Sequence, residues 1–323
     1  MKHKVYVTRP LPAAALSLLS RHCEVQNYPE DSAIAPLELA EQCGDIDGLL
    51  VNSAVVTEDV LLKAPRLRAI SNCGVGYDKI DVAACTRRRI PVTNTAGSLE
   101  ETTADLAFAL LLAAARRLPE ADRLVREGKW QCWQWGLLHG LDVHHKTLGL
   151  VGFGGIGQAM ARRARGFSMR VLYFARHRVA ESIERALEAQ YADYETLLSE
   201  SDYVSLHVPL TPQTLHLMDV QHFNAMKPTA YVINASRGPV VNESALATAL
   251  QSGRIAGAGL DVYEKEPQIH PGLLRMDNVV LAPHIGSATA ETRLNMAMMA
   301  VKNLLVALDG ERPPNVVNPE IYS

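Results

Sequence analysis

A chain of 323 residues is long enough for two domains of ordinary size, each able to bury its own core. Its charges nearly cancel, to a formal net charge of -3, which excludes the electrostatic footprint of a nucleic-acid binder or a polybasic membrane patch. The longest apolar run, Leu106 to Ala115, is too short to span a bilayer, and the five cysteines are scattered without a Cys-x-x-Cys pair, so neither a zinc site nor a disulfide framework is expected.

The first residues, Met1 to Val7 and then Arg9-Pro10, lack the apolar core of a signal peptide. A reduced, cytoplasmic protein is expected, with no metal ligand set. Short apolar runs at 5–8, 23–27, 48–51, 67–71 and 91–93 alternate with helical stretches such as 12–20 and 81–89, the pattern of a parallel α/β unit. Ser98-Leu99-Glu100-Glu101 has the spacing of a capping box and opens a helical stretch to about Arg117, with Pro119 beyond it. A Trp-rich loop follows, Trp130 to Gly140. Alternation then resumes, with strands expected at 147–153, 170–174, 202–208, 230–234, 256–261 and 279–282. The segment from 289 to about 309 reads as an amphipathic helix with Met296, Met299, Leu304 and Leu308 near one face and Gly310 as a stop. The expected fold class is α/β, with two doubly wound parallel-sheet domains. The first takes residues 1–100 and, if the final helix returns to it, 288–323; the second takes 101–287.

Gly152-Phe153-Gly154-Gly155-Ile156-Gly157 fits G-x-G-x-x-G, a weak motif when alone. Here a buried-strand pattern, 147–151, precedes it, a helical stretch follows, and another strand completes a βαβ unit. In that setting Gly152 permits the tight turn, Gly154 lets a pyrophosphate approach, and Gly157 lets helix and strand pack closely. The helix N-terminus supplies N–H groups and a favourable dipole for phosphates. An NAD site usually ends its second strand with Asp or Glu, bonding the ribose 2′-hydroxyl. Here that place reads Tyr173-Phe174-Ala175-Arg176-His177-Arg178, without a carboxylate. Arg176 and Arg178 can bind a 2′-phosphate by charge-assisted hydrogen bonds, so NADP(H) is expected in preference to NAD(H).

Three polar residues stand just past expected strands: Arg237, Glu266 and His284. Ligands of parallel sheets bind beyond the carboxyl ends of strands. The chemistry suits a 2-oxo acid. Arginine can clamp its carboxylate and polarise its ketone. Histidine is the natural proton donor near neutral pH, and a neighbouring carboxylate would hold the imidazole and favour its charged form.

These stretches, with Val75-Gly76-Tyr77-Asp78, 233–240, 259–267 and 283–289, resemble the D-isomer-specific 2-hydroxyacid dehydrogenase family over nearly the whole chain. The resemblance implies a flavodoxin-like substrate-binding domain, a Rossmann dinucleotide domain, a cleft between them and a homodimer. It implies that Arg237 orients substrate, Glu266 supports the histidine and His284 donates the proton. Val75 and Gly76 match the loop whose N–H groups take the substrate carboxylate. Cofactor contacts are implied for Gly152, Gly154, Gly155, Ile156 and Gly157, then for Pro209, Thr214, Ala235 and Ser236. Asp261 matches a position that holds the nicotinamide carboxamide, and His284 and Gly286 also match cofactor positions. Within the family, 142–149 and 300–304 are similar to bacterial glyoxylate/hydroxypyruvate reductases, also called 2-ketogluconate reductases. That similarity implies NADPH-linked reduction of glyoxylate, hydroxypyruvate or 2-keto-D-gluconate to D-2-hydroxy acids. The chain departs from the family in Thr95-Ala96-Gly97-Ser98-Leu99, where relatives often have Thr-Pro-x-x-Leu, and in Cys73-Gly74 before Val75. From the Trp130–Trp135 loop, Trp133 or Trp135 is the candidate to reach a partner subunit's active site. The alternatives are an NAD-linked dehydrogenase of another 2-hydroxy acid and a dinucleotide-sensing corepressor on the same fold. No partner-binding tail supports the latter.

Overall fold

The computed structural model describes residues 2–323. They form two compact units, one of residues up to Leu99 together with Ser287–Ser323, the other Glu100–Gly286. The first unit runs β1 (His3–Val7), α1 (Ala13–His22), β2 (Cys23–Asn27), α2 (Pro36–Gln42), β3 (Gly48–Val51), α3 (Glu58–Leu62), β4 (Ala69–Asn72), α4 (Val82–Arg87) and β5 (Val92–Thr93). Its sheet has the order β2-β1-β3-β4-β5, with every pairing parallel. This is the flavodoxin-like order. Every residue of β3 and β4 is buried, as expected of a parallel strand covered on both faces.

The second unit opens with α5 (Glu100–Ala115) and α6 (Leu118–Arg126). A βα succession follows: β6 (Thr147–Val151), α7 (Gly155–Arg165), β7 (Arg170–Phe174), α8 (Glu181–Leu187), β8 (Ala189–Tyr191), α9 (Tyr194–Glu200) and β9 (Tyr203–Leu206). It continues through α10 (Val220–Ala225), β10 (Tyr231–Asn234), α11 (Glu243–Gln251), β11 (Gly257–Leu260) and β12 (Val279–Leu281). The seven strands lie in the order β12-β11-β10-β9-β6-β7-β8, all parallel. Counted from β6, this is the Rossmann order with one strand added. The order reverses between β6 and β9, and the crevice beyond their carboxyl ends is where such sheets bind ligands.

α12 (Ala290–Leu308) then returns to the first unit. Thr289 caps it by accepting from the Thr292 N–H at 3.2 Å. Its buried stripe runs Met296, Ala300, Leu304 and Leu308, four residues apart, while Met299 is half-buried. Leu304 and Leu308 pack over Gly48 of β3, and burying each such leucine contributes roughly 1.5–3 kcal/mol. Polar bonds fix the seat: Ser71 Oγ donates to the Ala300 carbonyl at 2.8 Å, and Asn303 Nδ2 to the Asn94 carbonyl at 3.0 Å.

One local expectation differs from the structure. The reciprocal capping box at Ser98 does not form. Ser98 directs both its N–H and its hydroxyl to the Thr95 carbonyl, and the Glu101 carboxylate is engaged by Arg162 and Arg163. Pro119 lies beyond the end of α5, as expected, and sits in the first turn of α6, where its missing N–H would be unpaired anyway. Arg117, with φ of +52°, turns the chain between the two helices.

Candidate active site

The glycine turn joins β6 to α7. Gly152 has φ of +95°, and a Cβ there would lie 2.3 Å from the His207 carbonyl oxygen, so only glycine fits. A Cβ on Gly157 would lie 2.3 Å from the Gly152 carbonyl oxygen, which is the close helix–strand approach the motif requires. Gly154, by contrast, faces open space. It is also the N-cap of α7 and has no side chain to bond the first N–H groups, those of Gly155 and Ile156. Open space plus uncapped donors fits a pyrophosphate. His207, at the end of β9, flanks the turn. Its ring meets Ser205 Oγ at 2.8 Å through Nε2, and burial pushes its imidazole down to about 3. It is therefore neutral at neutral pH and is no general acid.

The loop after β7 separates the two arginines expected to meet a 2′-phosphate. Arg178 donates through Nε and Nη2 to the two carboxylate oxygens of Glu184, at 2.8 and 2.7 Å. The Tyr173 hydroxyl donates to the same carboxylate at 2.6 Å, and the Tyr173 ring stacks on Phe153 of the glycine turn with centroids 4.0 Å apart. Glu184 is buried, and the Arg178 guanidinium, followed by the Tyr173 hydroxyl, holds its carboxyl down at about 2. Arg178 thus braces the loop. Arg176 is exposed and engaged by no ion pair among the described residues.

Arg237, Glu266 and His284 follow β10, β11 and β12, three adjacent strands. Their loops are tied to one another. His284 Nδ1–H donates to Glu266 Oε2 at 2.9 Å, a bond that leaves Nε2 unused, and Glu266 Oε1 accepts the Tyr263 N–H at 3.1 Å. His284 itself has φ of +54°. Asp261, buried at the end of β11, accepts the Ile285 N–H at 2.7 Å and the Gly286 N–H at 2.8 Å, fixing the histidine loop. Burial pushes the Asp261 carboxyl up, and these two N–H groups oppose that shift. Asn234 organises the arginine loop: its Oδ1 accepts from the N–H and hydroxyl of Ser236, and its Nδ2 donates to the Arg237 carbonyl at 3.0 Å. Arg237 Nη1 donates to the Ser236 carbonyl at 2.8 Å. Gly238 brings this loop against the Tyr263–Glu264 backbone so closely that no Cβ fits.

Within the first unit, the loop after β4 has its carbonyls occupied. Asn72 Nδ2 donates to the Gly74 and Gly76 carbonyls at 3.0 and 2.8 Å, and Asn94 Nδ2 to the Val75 carbonyl at 2.9 Å. The N–H groups of Val75 and Gly76 meet no acceptor among the described residues, so they remain available to an anion. Cys73 beside them is no nucleophile, because burial pushes its thiol up to about 11. Thr214 has its hydroxyl bonded within its own turn, to the Pro209 carbonyl at 2.6 Å and from the Thr211 N–H at 2.8 Å. Ala235 is buried beside Asn234. The Trp loop is irregular, with Trp133 and Trp135 edge to face at 6.0 Å and 73% and 81% exposed.

The supporting residues Asn72, Asn94, Asn234 and Glu184 escape a sequence reading. Asn234 carried the nearest thing to a signal, an Asn at a strand end before Ala-Ser-Arg, where a side chain can bond its own turn.

Residues 108–286 match the D-isomer specific 2-hydroxyacid dehydrogenase, NAD binding domain. The chain belongs to the D-isomer specific 2-hydroxyacid dehydrogenase family. It is 47% identical to the glyoxylate reductase of Thermococcus litoralis, covering 100% of this chain and 99% of that protein. Among solved structures, a protein of Thermus thermophilus superposes with a TM-score of 0.90 at 43% identity, covering 97% of this chain and 99% of the other. The NADPH-dependent glyoxylate/hydroxypyruvate reductase of Sinorhizobium meliloti, solved with NADP and malonate, superposes with a TM-score of 0.88 at 32% identity, covering 98% and 97%. The family is one of oxidoreductases, and the glycine turn lies inside its matched dinucleotide-binding domain.

Proposed function

We propose that the protein reduces short 2-oxo acids with NADPH, glyoxylate and hydroxypyruvate foremost and 2-keto-D-gluconate as a larger candidate, to D-2-hydroxy acids. The observation that carries this reading is the His284–Glu266 pair at 2.9 Å, with Arg237 on the neighbouring loop. A bound nicotinamide would supply the hydride. His284 presents Nε2 as the proton donor to the ketone oxygen, and Glu266 fixes the orientation of its ring through the Nδ1 bond. Arg237 orients the 2-oxo acid and stabilises the negative charge that develops on its oxygen. The Val75 and Gly76 N–H groups are assigned to a substrate carboxylate. Asp261, besides its loop-fixing bonds, is assigned to the nicotinamide carboxamide, and Pro209, Thr214, Ala235, Ser236 and Gly286 to the rest of the dinucleotide.

Preference for NADPH rests on Arg176 and on the absence of a carboxylate at the free edge of the β7 loop, since Glu184 is turned inward and neutralised by Arg178. It agrees with the NADPH-linked relative named above. A homodimer accords with the exposed apolar side chains of Leu118, Val125, Trp130, Trp133 and Trp135. A cytoplasmic location goes with this reading; among the described residues no helix is long and apolar enough to cross a membrane. The test is a kcat/KM panel of 2-oxo acids with NADPH and NADH. Glyoxylate and hydroxypyruvate should turn over, with NADPH preferred. No turnover of any 2-oxo acid would sink the reductase reading, and a clear NADH preference would sink the cofactor reading.

A further inference from the structure

We propose that Glu243, a residue outside the candidate site, is a positioning residue that holds Glu266 against His284. The inference rests on the functional reading above. Glu243 is the first residue of α11 and is buried, 6% exposed. Its Oε1 accepts the Glu264 N–H at 2.6 Å and its Oε2 accepts the His270 N–H at 3.2 Å. These two N–H groups bracket the segment that carries Glu266. One carboxylate therefore pins both ends of the catalytic loop. Between the pins the loop closes on itself, the Gln268 N–H donating to the Lys265 carbonyl at 2.8 Å.

The clamp is reciprocal. Glu264 Oε2 accepts the Glu243 N–H at 3.0 Å, one of the donors a helix start leaves without an intrahelical partner. Glu264 Oε1 meets His216 Nε2 at 2.6 Å, which adds a third segment to the bracket. The location suits an acidic side chain: it stands in the first turn of α11, and both of its oxygens find N–H donors. An apolar side chain of similar size would fill the space but leave the Glu264 and His270 N–H groups without acceptors, a cost that loop movement toward water would relieve. That movement would carry Glu266 away from His284. Gly238 meets the same Tyr263–Glu264 backbone, and α11 begins shortly after Arg237, so the clamp also registers the arginine loop to the glutamate loop.

A double-mutant cycle separates positioning from general support. Glu243→Ala, Glu266→Gln and the double variant are assayed with NADPH and glyoxylate, with folding checked by circular dichroism. Glu243→Ala is expected to lower kcat about tenfold or more and leave KM for NADPH within about twofold, since the glycine turn lies on β6, away from the clamp. Glu243→Gln keeps one acceptor oxygen and should recover part of the loss. In the Glu266→Gln background, Glu243→Ala should change kcat by less than about twofold, because the residue it positions has already been disabled. Additive losses in the double variant would overturn the proposal, as would a folded Glu243→Ala enzyme with wild-type kcat. If Glu243→Ala does not fold, the same cycle with Glu243→Gln decides. A wild-type enzyme that reduces no 2-oxo acid would overturn the functional reading and this inference with it; a working enzyme with an additive cycle overturns this inference alone.

Discussion

Alanine at Gly238 would place its Cβ 1.8 Å from the Tyr263 carbonyl carbon and 1.9 Å from its oxygen, where ordinary contact begins at 3.4 Å. All of these atoms are backbone, so no side chain can swing aside. One segment must move by about 1.6 Å, the shortfall from that contact distance. The segment that yields carries Glu266, whose Oε1 is held by the Tyr263 N–H at 3.1 Å and whose Oε2 meets His284 at 2.9 Å. Adding even half of that displacement to the second bond takes it beyond hydrogen-bonding range. Misplacement of catalytic groups by ~1 Å costs on the order of 10²-fold in rate, while overpacking of this kind costs about 1–3 kcal/mol of stability. Gly238→Ala is therefore expected to fold, with a lower melting temperature, and to lose about 10²-fold in kcat/KM for its best 2-oxo acid. The assay is steady-state NADPH oxidation beside a thermal melt, with Gly44→Ala as control, since a Cβ at Gly44 meets nothing within 4 Å. A folded Gly238→Ala enzyme with kcat/KM near that of the control would refute the idea that the arginine and glutamate loops are registered by this contact.

Arg176→Ala should raise KM for NADPH about tenfold or more and leave NADH kinetics nearly unchanged, because a hydrogen bond to a charged group contributes roughly 1.5–3 kcal/mol; equal effects on both nucleotides would refute a 2′-phosphate role. The Glu184 carboxyl, with an ordinary value of 4.5, is held at about 2 in the folded protein, so its contribution to stability is complete above pH 4.5 and lost as pH falls through about 2. The stability gap between wild type and Glu184→Gln, read by urea unfolding, should narrow across that window, and a gap that stays constant would show that the Arg178 pair contributes nothing. Trp133→Ala and Trp135→Ala, assayed for mass in solution and for substrate preference, separate two roles. A changed ratio of hydroxypyruvate to glyoxylate kcat/KM in an intact oligomer supports a pocket role, and loss of the oligomer with an unchanged ratio counts against it.

Much of the architecture was legible in the chain because parallel strands are short apolar runs punctuated by Gly, Pro and Asn. The runs at 23–27, 48–51 and 170–174 form β2, β3 and β7 with those bounds. The three residues of β8 are too few to show a period, and α6 was hidden by Pro119, which stops a helix from inside but begins one from its first turn. Arg237, Glu266 and His284 stood out because each follows a strand, and strand ends are where such sheets place their chemistry.

The sequence by itself determined which side chains stand at the strand ends and where a dinucleotide's phosphates can approach the backbone. Those are local properties, set by residue type and spacing within a single βα step. Only the tertiary structure decided that Arg178 turns to Glu184, that Asp261 holds the loop of His284 and that Glu243 spans the loop of Glu266. The latter two bonds join residues more than twenty positions apart, and they exist because the sheet order makes β10, β11 and β12 neighbours. Even for Arg178 and Glu184, six residues apart, the pairing depends on how α8 packs back on β7, which neither residue type nor spacing reveals.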